Sequence, residues 1–118
     1  MLRGFKIMEN KKSIQASDVK EIILACEAGM GSSLMVVNSL KKKLKKAGVK
    51  DVKLAHKPAR SVSEDTKLIV VHKSLAKVAR LKAPEAVIVT FNFFMNDPAF
   101  DQLVKAFVND EVIENQVN

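Results

Sequence analysis

Residues 26–33 read Cys26-Glu27-Ala28-Gly29-Met30-Gly31-Ser32-Ser33, and Cys26 is the only cysteine in the chain. A thiolate is a strong nucleophile, and what surrounds this one bears on anions. Gly29 and Gly31 can take positive φ without a Cβ penalty, so successive backbone N–H groups can converge on an oxyanion, and Ser32 and Ser33 add hydroxyl donors. If a helix starts here, its first N–H groups have no intrahelical partner and sit at the positive end of the helix dipole. The segment therefore reads as an anion cradle whose field favours a thiolate, and the chemistry expected is capture of a phosphoryl group on sulfur. A lone cysteine is commonly a small buried hydrophobe. Its place at the strand-to-loop junction before Gly-x-Gly-Ser-Ser argues for the reactive reading.

Related motifs fail in informative ways. A dinucleotide fingerprint needs a third glycine where Leu34 stands, and a phosphate loop of the Walker type needs Gly-Lys-Ser/Thr, which is missing. The layout resembles a cysteine phosphatase of the low-molecular-weight type. Such an enzyme has an arginine six residues after its cysteine, where this chain has Ser32, and no Lys or Arg occurs from Cys26 to Asn38. Without a fixed cation to stabilise transfer to water, hydrolysis should be slow. A cradle of neutral donors suits a relay better than a hydrolase.

The elements that must position Cys26 follow from hydropathy. "EIILA" (residues 21–25) is a continuous apolar run, as in a parallel strand covered on both faces. The loop then leads into a helix from about 33 to 47, capped by Ser32 or Ser33, with Gly48 as its stop. Residues 49–56 alternate as a half-exposed edge strand, broken at Pro58. Residues 59–65 allow a turn or very short helix. "KLIVVH" (67–72) is a second buried strand, Ser74 caps a helix ending before Pro84, and "AVIVTF" (86–91) is the last strand. Asp97 and Pro98 stand as N-cap and first residue of a final helix, with Phe100, Leu103, Val104, Phe107 and Val108 at helical spacing. The expected fold is α/β: an open, mostly parallel four-stranded sheet with helices on both faces, a Rossmann-like or flavodoxin-like three-layer sandwich. Ligands of such sheets bind beyond the carboxyl ends of the strands, where Cys26 lies.

Composition narrows the function classes. The chain has 118 residues, 47% of them hydrophobic, enough for one domain with a real core. One cysteine makes no intramolecular disulfide and points to a cytoplasmic protein. No stretch approaches a membrane span and no signal peptide opens the chain, so no direct membrane insertion is expected. The net charge of +7 is concentrated in "KKKLKK" (41–46), which at helical spacing is the solvated face of a helix with Val37, Leu40, Leu44 and Ala47 on its apolar stripe. A nucleic-acid reader would want aromatic platforms or a recognisable reader fold, and Trp and Tyr are absent, which makes nucleic acid an unexpected partner. Residues 1–19 read as a flexible extension or linker, 20–110 as the domain and 111–118 as a tail.

"CEAGMGSS" followed by a basic helix resembles the B component (IIB) of the phosphoenolpyruvate-dependent sugar phosphotransferase system, the mannitol type above all. That type typically reads Cys, an acidic residue, Ala-Gly-Met-Gly-Ser-Ser and then a basic helix. "VVHKSLAKVARLKAPEA" (70–86) resembles its strand, histidine and helix, and "NFFMNDPAFDQLV" (92–104) its Asn-Phe segment before the final helix. The similarity spans about residues 20–108. It implies that Cys26 accepts a phosphoryl group from a histidine of the IIA component and passes it to a sugar alcohol in the membrane IIC component, docked at the inner face of the membrane. Glu27, Ala28, Gly29, Met30, Gly31, Ser32 and Ser33 would form the phosphate-binding loop. These domains are often fused to their membrane component, so the chain reads as a free-standing subunit or a piece of a longer permease. The alternative is a regulatory IIB-like domain whose phosphocysteine is a signal. No cofactor is implied.

His72 ends a predicted strand at the same sheet edge as Cys26 and reads either as a neighbour of the site or, the reading with more weight, as a satisfied histidine at a helix start; His56 follows by the same logic with less weight. Neither completes a metal ligand set, so no metal site is expected. Met30, Phe93, Phe94 and Met95 suit an apolar rim for docking, the alternative of equal weight being that Phe91 and one neighbouring Phe are simply core, and Glu27 should face solvent.

Overall fold

The computed structural model describes residues 13–26, 32–49, 52–93 and 97–117. Its elements are β1 (Ser13–Gln15), β2 (Glu21–Cys26), α1 (Ser32–Lys46), β3 (Lys53–Pro58), β4 (Leu68–His72), α2 (Ala76–Lys82), β5 (Val87–Phe91), α3 (Pro98–Asn109) and β6 (Val112–Glu114). β3, β2, β4 and β5 form, in that order, a four-stranded sheet whose pairs are all parallel.

The apolar runs are continuous because both faces of the sheet are covered. Ile22, Leu24, Leu68, Val70, Val87, Val89 and Phe91 point to one side, against Val36, Val37, Leu40 and Leu44 of α1 and Phe100 and Leu103 of α3. Ile23, Ala25, Ile69, Val71 and Ile88 point to the other, against Ala76 and Ala79 of α2 and against Ala59 and Val62. Leu68 through Val71 are completely buried. Each such Leu, Ile or Val contributes about 1.5–3 kcal/mol through loss of apolar surface to water. The expected three-layer α/β sandwich is thus the fold observed, of the flavodoxin-like kind.

The path after β2 turns outward through α1 to the edge strand β3, then crosses back to β4 on the opposite side of β2. The carboxyl ends of β2 and β4 therefore flank the point where strand order reverses, the usual ligand crevice of open α/β sheets.

α1 ends as its glycine predicts. Gly48 has φ +84°, its N–H donates to the Lys45 carbonyl at 3.1 Å, and the Val49 N–H donates to the Leu44 carbonyl at 2.9 Å. This pair of bonds is the Schellman arrangement. Lys41, Lys42, Lys45 and Lys46 are exposed, and Lys43 bonds Asp101 of α3 at 3.0 Å.

Three local expectations change. The edge strand starts at Lys53, after the Gly48 turn, and runs through Pro58 instead of breaking there; a missing N–H is tolerated at the end of an edge strand. Ser74 does not cap α2. Residues Lys73–Leu75 form a short 3-10 turn and α2 begins at Ala76, because the His72 ring, not the Ser74 hydroxyl, accepts the free backbone N–H. Residues from the extension and the tail read in the sequence also take part in the fold. β1 pairs antiparallel with β6, Ala16 and Ile113 are buried, and Asp110 at the end of α3 accepts from the Ser17 N–H at 2.9 Å.

Beyond β6, the chain follows the outer edge of β5. The Gln116 N–H donates to the Ile88 carbonyl at 2.9 Å, while the Asn115 and Gln116 side-chain oxygens accept from the Ile88 and Thr90 N–H groups at 3.0 and 2.9 Å. Arg80 of α2 fastens this segment. Its guanidinium donates to the Ala83, Pro84 and Ala86 carbonyls at 3.1, 2.8 and 2.9 Å, to Asn115 Oδ1 at 2.6 Å and to the Val117 carbonyl at 2.7 Å.

Candidate functional site

Cys26 is the last residue of β2 and is 9% exposed. Side chains alternate along a strand, so with Ile22 and Leu24 on the face covered by α1, Cys26 lies on that face too. Its Sγ donates to the Lys57 carbonyl of β3 at 3.4 Å. α1 starts at Ser32, and because β2 and β3 are parallel, its amino end lies at the same sheet edge as Cys26. Free N–H groups and the positive end of the helix dipole belong to that end. Of the expected phosphate loop, Glu27, Ala28, Gly29, Met30 and Gly31 lie outside the described residues, and Ser32 and Ser33 open α1.

His72 stands beside Cys26. Ala25 pairs with Val71, so Cys26 and His72 are the next residues along two adjacent parallel strands. His72 shares the face of Leu68 and Val70, which is the face of Cys26.

The ring of His72 is held at both nitrogens. Nδ1 accepts from the Ser74 N–H at 3.1 Å and lies 2.8 Å from the Ser74 hydroxyl; Nε2 lies 3.1 Å from the Asn92 carbonyl. A backbone N–H can only donate and a carbonyl can only accept, so the network assigns the neutral tautomer with its proton on Nε2. The ring also meets Phe91 edge to face, with centroids 5.5 Å apart, and Phe91 in turn packs on Phe100. This histidine is built into the wall of the crevice and is not a base held in readiness for the thiol.

One further group emerges from the structure. Asp97 is 4% exposed. Its Oδ1 accepts from the Ala99 N–H at 2.8 Å as the N-cap of α3, and its Oδ2 accepts from the Asn92 and Phe93 N–H groups at 2.7 and 2.9 Å. Burial pushes this carboxyl upward, but the three backbone N–H bonds and the neighbouring His72 outweigh it and hold the group below the ordinary carboxylate range. The sequence reveals Asp97 as a cap because Asp-Pro opens an apolar periodic run. The backward bonds of its second oxygen leave no mark in local sequence.

The other expected neighbours are less engaged. His56 pairs with Leu24 and is exposed on the edge strand. Phe91 is core and Phe93, two residues past the end of β5, is 66% exposed; Met30, Phe94 and Met95 lie outside the described residues. Among the described residues no three His, Cys, Asp or Glu side chains converge as metal ligands, and no helix is long and apolar enough to cross a membrane.

Comparison with known proteins agrees with this geometry. The family model "PTS system, Lactose/Cellobiose specific IIB subunit" matches residues 21–105. The "PTS system mannitol-specific EIICB component" of Halalkalibacterium halodurans is 39% identical over 90 residues, 76% of this chain and 19% of that protein. Proteins of the same name from Staphylococcus saprophyticus and Geobacillus stearothermophilus are 35% and 31% identical over 82% and 84% of this chain. The chain spans about a fifth of the length of these relatives. A solved structure described as "Crystal structure of Primo-1" superposes with a TM-score of 0.52 at 16% identity, covering 76% of this chain and 95% of its own, a likeness of fold alone. With a family model covering most of the chain and mannitol-type relatives at these identities, the chain belongs to the IIB subunit family of the sugar phosphotransferase system, as a mannitol-type member.

Proposed function

We propose that the chain is a phosphocysteine relay in the uptake of a sugar alcohol, mannitol, working at the cytoplasmic face of the membrane. The observation that carries this reading is the position of the sole thiol, Cys26, at the strand end flanking the topological switch point, on the edge where α1 begins. In the first step the Cys26 sulfur attacks the phosphorus of a phosphohistidine on a IIA component. The S–P bond forms as the N–P bond breaks, and the proton lost from the thiol goes to the departing imidazole or to solvent. In the second step a hydroxyl of the sugar bound by a IIC component attacks the same phosphorus. The O–P bond forms, the S–P bond breaks, and the thiolate regains a proton as the hydroxyl loses one.

The loop, Cys26 with Glu27, Ala28, Gly29, Met30, Gly31, Ser32 and Ser33, would hold the phosphoryl oxygens with neutral donors. No cation lies between Cys26 and Asn38 in sequence. This favours passing the group on over hydrolysing it, since transfer to water would gain most from a fixed positive charge.

The test is to incubate the protein with phosphoenolpyruvate, the two general phosphocarrier proteins and a mannitol-type IIA component. Any phosphoryl group is then mapped by mass spectrometry under conditions that preserve thiophosphate esters. Label on Cys26 that is lost only when a IIC component and its sugar are added is the expected result. Label that persists with every permease would assign the cysteine to signalling, and no label would overturn the relay.

A further inference from the structure

We propose that Asp97 is a positioning residue for the Cys26 site, holding the Asn92–Phe93 turn and, through it, the His72 ring beside the end of β2. The role rests on the relay reading above. Capping α3 occupies one oxygen of Asp97, the one that accepts from Ala99. A neutral Ser or Asn performs that task equally well, and without the cost of burying a charge. The second oxygen is what needs explaining. It reaches back to the two consecutive N–H groups of Asn92 and Phe93, at 2.7 and 2.9 Å, directly after β5 ends at Phe91.

Asn92 is thereby held from both sides. Its N–H goes to Asp97 and its carbonyl faces Nε2 of His72 at 3.1 Å. Because the other ring nitrogen already accepts from Ser74, the ring has one orientation in which both bonds are made. His72 follows Val71, the strand partner of Ala25, so the last link of this chain of contacts is the side chain next to Cys26 on the same face. The same bonds fix the backbone of Phe93, a large apolar side chain standing 66% exposed just past the carboxyl end of β5. Asp97 is the buried anchor of this chain of bonds, whose other members are half-buried or exposed, so loosening it shifts the whole wall.

Two variants separate this role from capping, since Asp97→Ser and Asp97→Asn both retain an N-cap oxygen and remove the carboxylate that accepts from Asn92 and Phe93. Phosphoryl transfer to Cys26 from a phosphorylated IIA component is expected to slow by about 10- to 100-fold, the scale of a misplacement near 1 Å. The imidazole nitrogen resonances of His72, which in the unaltered protein should show a single tautomer protonated at Nε2, should move toward a mixture. Transfer at the unaltered rate in both variants overturns the proposal, as does slowed transfer with unaltered His72 resonances. An Nδ1-protonated ring in the unaltered protein overturns it without recourse to any variant. An unaltered protein that takes no label at all sinks the relay and this role with it, while unaltered label with indifferent variants sinks this role alone.

Discussion

Cys26 and Lys57 meet across two adjacent parallel strands, the thiol donating to the Lys57 backbone carbonyl at 3.4 Å. A sulfur that carries a phosphoryl group has no proton to give, so this contact and the S–P bond exclude one another. The thiol is docked against the edge strand, and in the proposed relay loading would have to free it. Cys26 ends its strand, and the buried positions before it on the same face, Ile22 and Leu24, are apolar.

Cys26→Ser should therefore fold and yet carry no transferable phosphoryl group. A serine hydroxyl is a donor of similar size and can keep the Lys57 carbonyl satisfied, so the change in stability should stay within about 1 kcal/mol. Denaturant unfolding of both proteins checks the first half and label mapping the second. Phosphoryl transfer that survives in the variant would assign the acceptor to another residue.

His72 carries a separate prediction about stability. Its two ring nitrogens serve the Ser74 N–H and the Asn92 carbonyl, and removing the ring leaves both groups to be satisfied some other way. His72→Ala should lower the unfolding free energy by about 1–3 kcal/mol. His72→Gln, whose amide offers one donor and one acceptor, should lower it less. Equal losses in the two variants would mean that the ring acts through its packing on Phe91 and not through its hydrogen bonds.

Acid sensitivity follows from Asp97. Its carboxyl is held below the ordinary value of 3.8 by three backbone N–H donors and His72, against the opposing push of burial. A group whose affinity for protons is lower in the folded state stabilises the fold above the unfolded value and loses that contribution as pH falls through the folded one. The stability difference between the unaltered protein and Asp97→Asn should therefore be largest at neutral pH and shrink as pH drops below about 4. Unfolding measured in parallel from pH 7 into that acidic range checks this. A constant difference would mean that Asp97 does not titrate with unfolding.

Much of this architecture can be read in the sequence where one residue type dominates a stretch. "EIILA", "LIVVH" and "VIVTF" are apolar without alternation, which only a strand covered on both faces requires, and they became β2, β4 and β5. Phe100, Leu103 and their neighbours at helical spacing gave α3, and Asp97-Pro98 its start. Cys26 stands out in the sequence because its loop is distinctive, and its place at the end of β2 follows from the apolar run before it. What the sequence hid are bonds between distant residues or made by the backbone. The Lys57 carbonyl is invisible in any side-chain pattern. Arg80 reads as an ordinary charge on a short helix, although its partners Asn115 and Val117 lie 35 and 37 residues away. β1 and β6 are three residues each, too short to show a period.

Gly48 offers a sharper test than most glycines, because two effects that usually occur together are separated there. Its φ is +84°, yet a Cβ built on it would meet nothing within 4 Å. Gly48→Ala should therefore cost only the backbone strain of the left-handed region, about 1 kcal/mol, with no steric term added. Gly48→Asn should cost less, since Asn visits that region more readily. Denaturant midpoints rank the three proteins, and a loss well above 2 kcal/mol in the alanine variant would place something against that turn.

The covering of β5 yields the prediction with the widest consequence. β5 is an outer strand of the parallel sheet, and its exposed N–H and C=O groups would template pairing with another chain. Asn115 and Gln116 satisfy three of them, one with a backbone N–H and two with side-chain amide oxygens, and Arg80 holds the segment by bonds to Asn115 and Val117. Removing residues 115–118 should lower stability by about 2–4 kcal/mol, since several partly buried bonds are lost together. It should also make the protein associate as concentration rises. Arg80→Lys should fall between, because one ammonium cannot reach five acceptors in the guanidinium's planar arrangement. Light scattering across a concentration series, alongside denaturant unfolding, measures both effects. A truncated chain that loses stability while remaining monomeric would show that the segment acts only as a brace. One that keeps both properties would mean that the amides of β5 are satisfied by water.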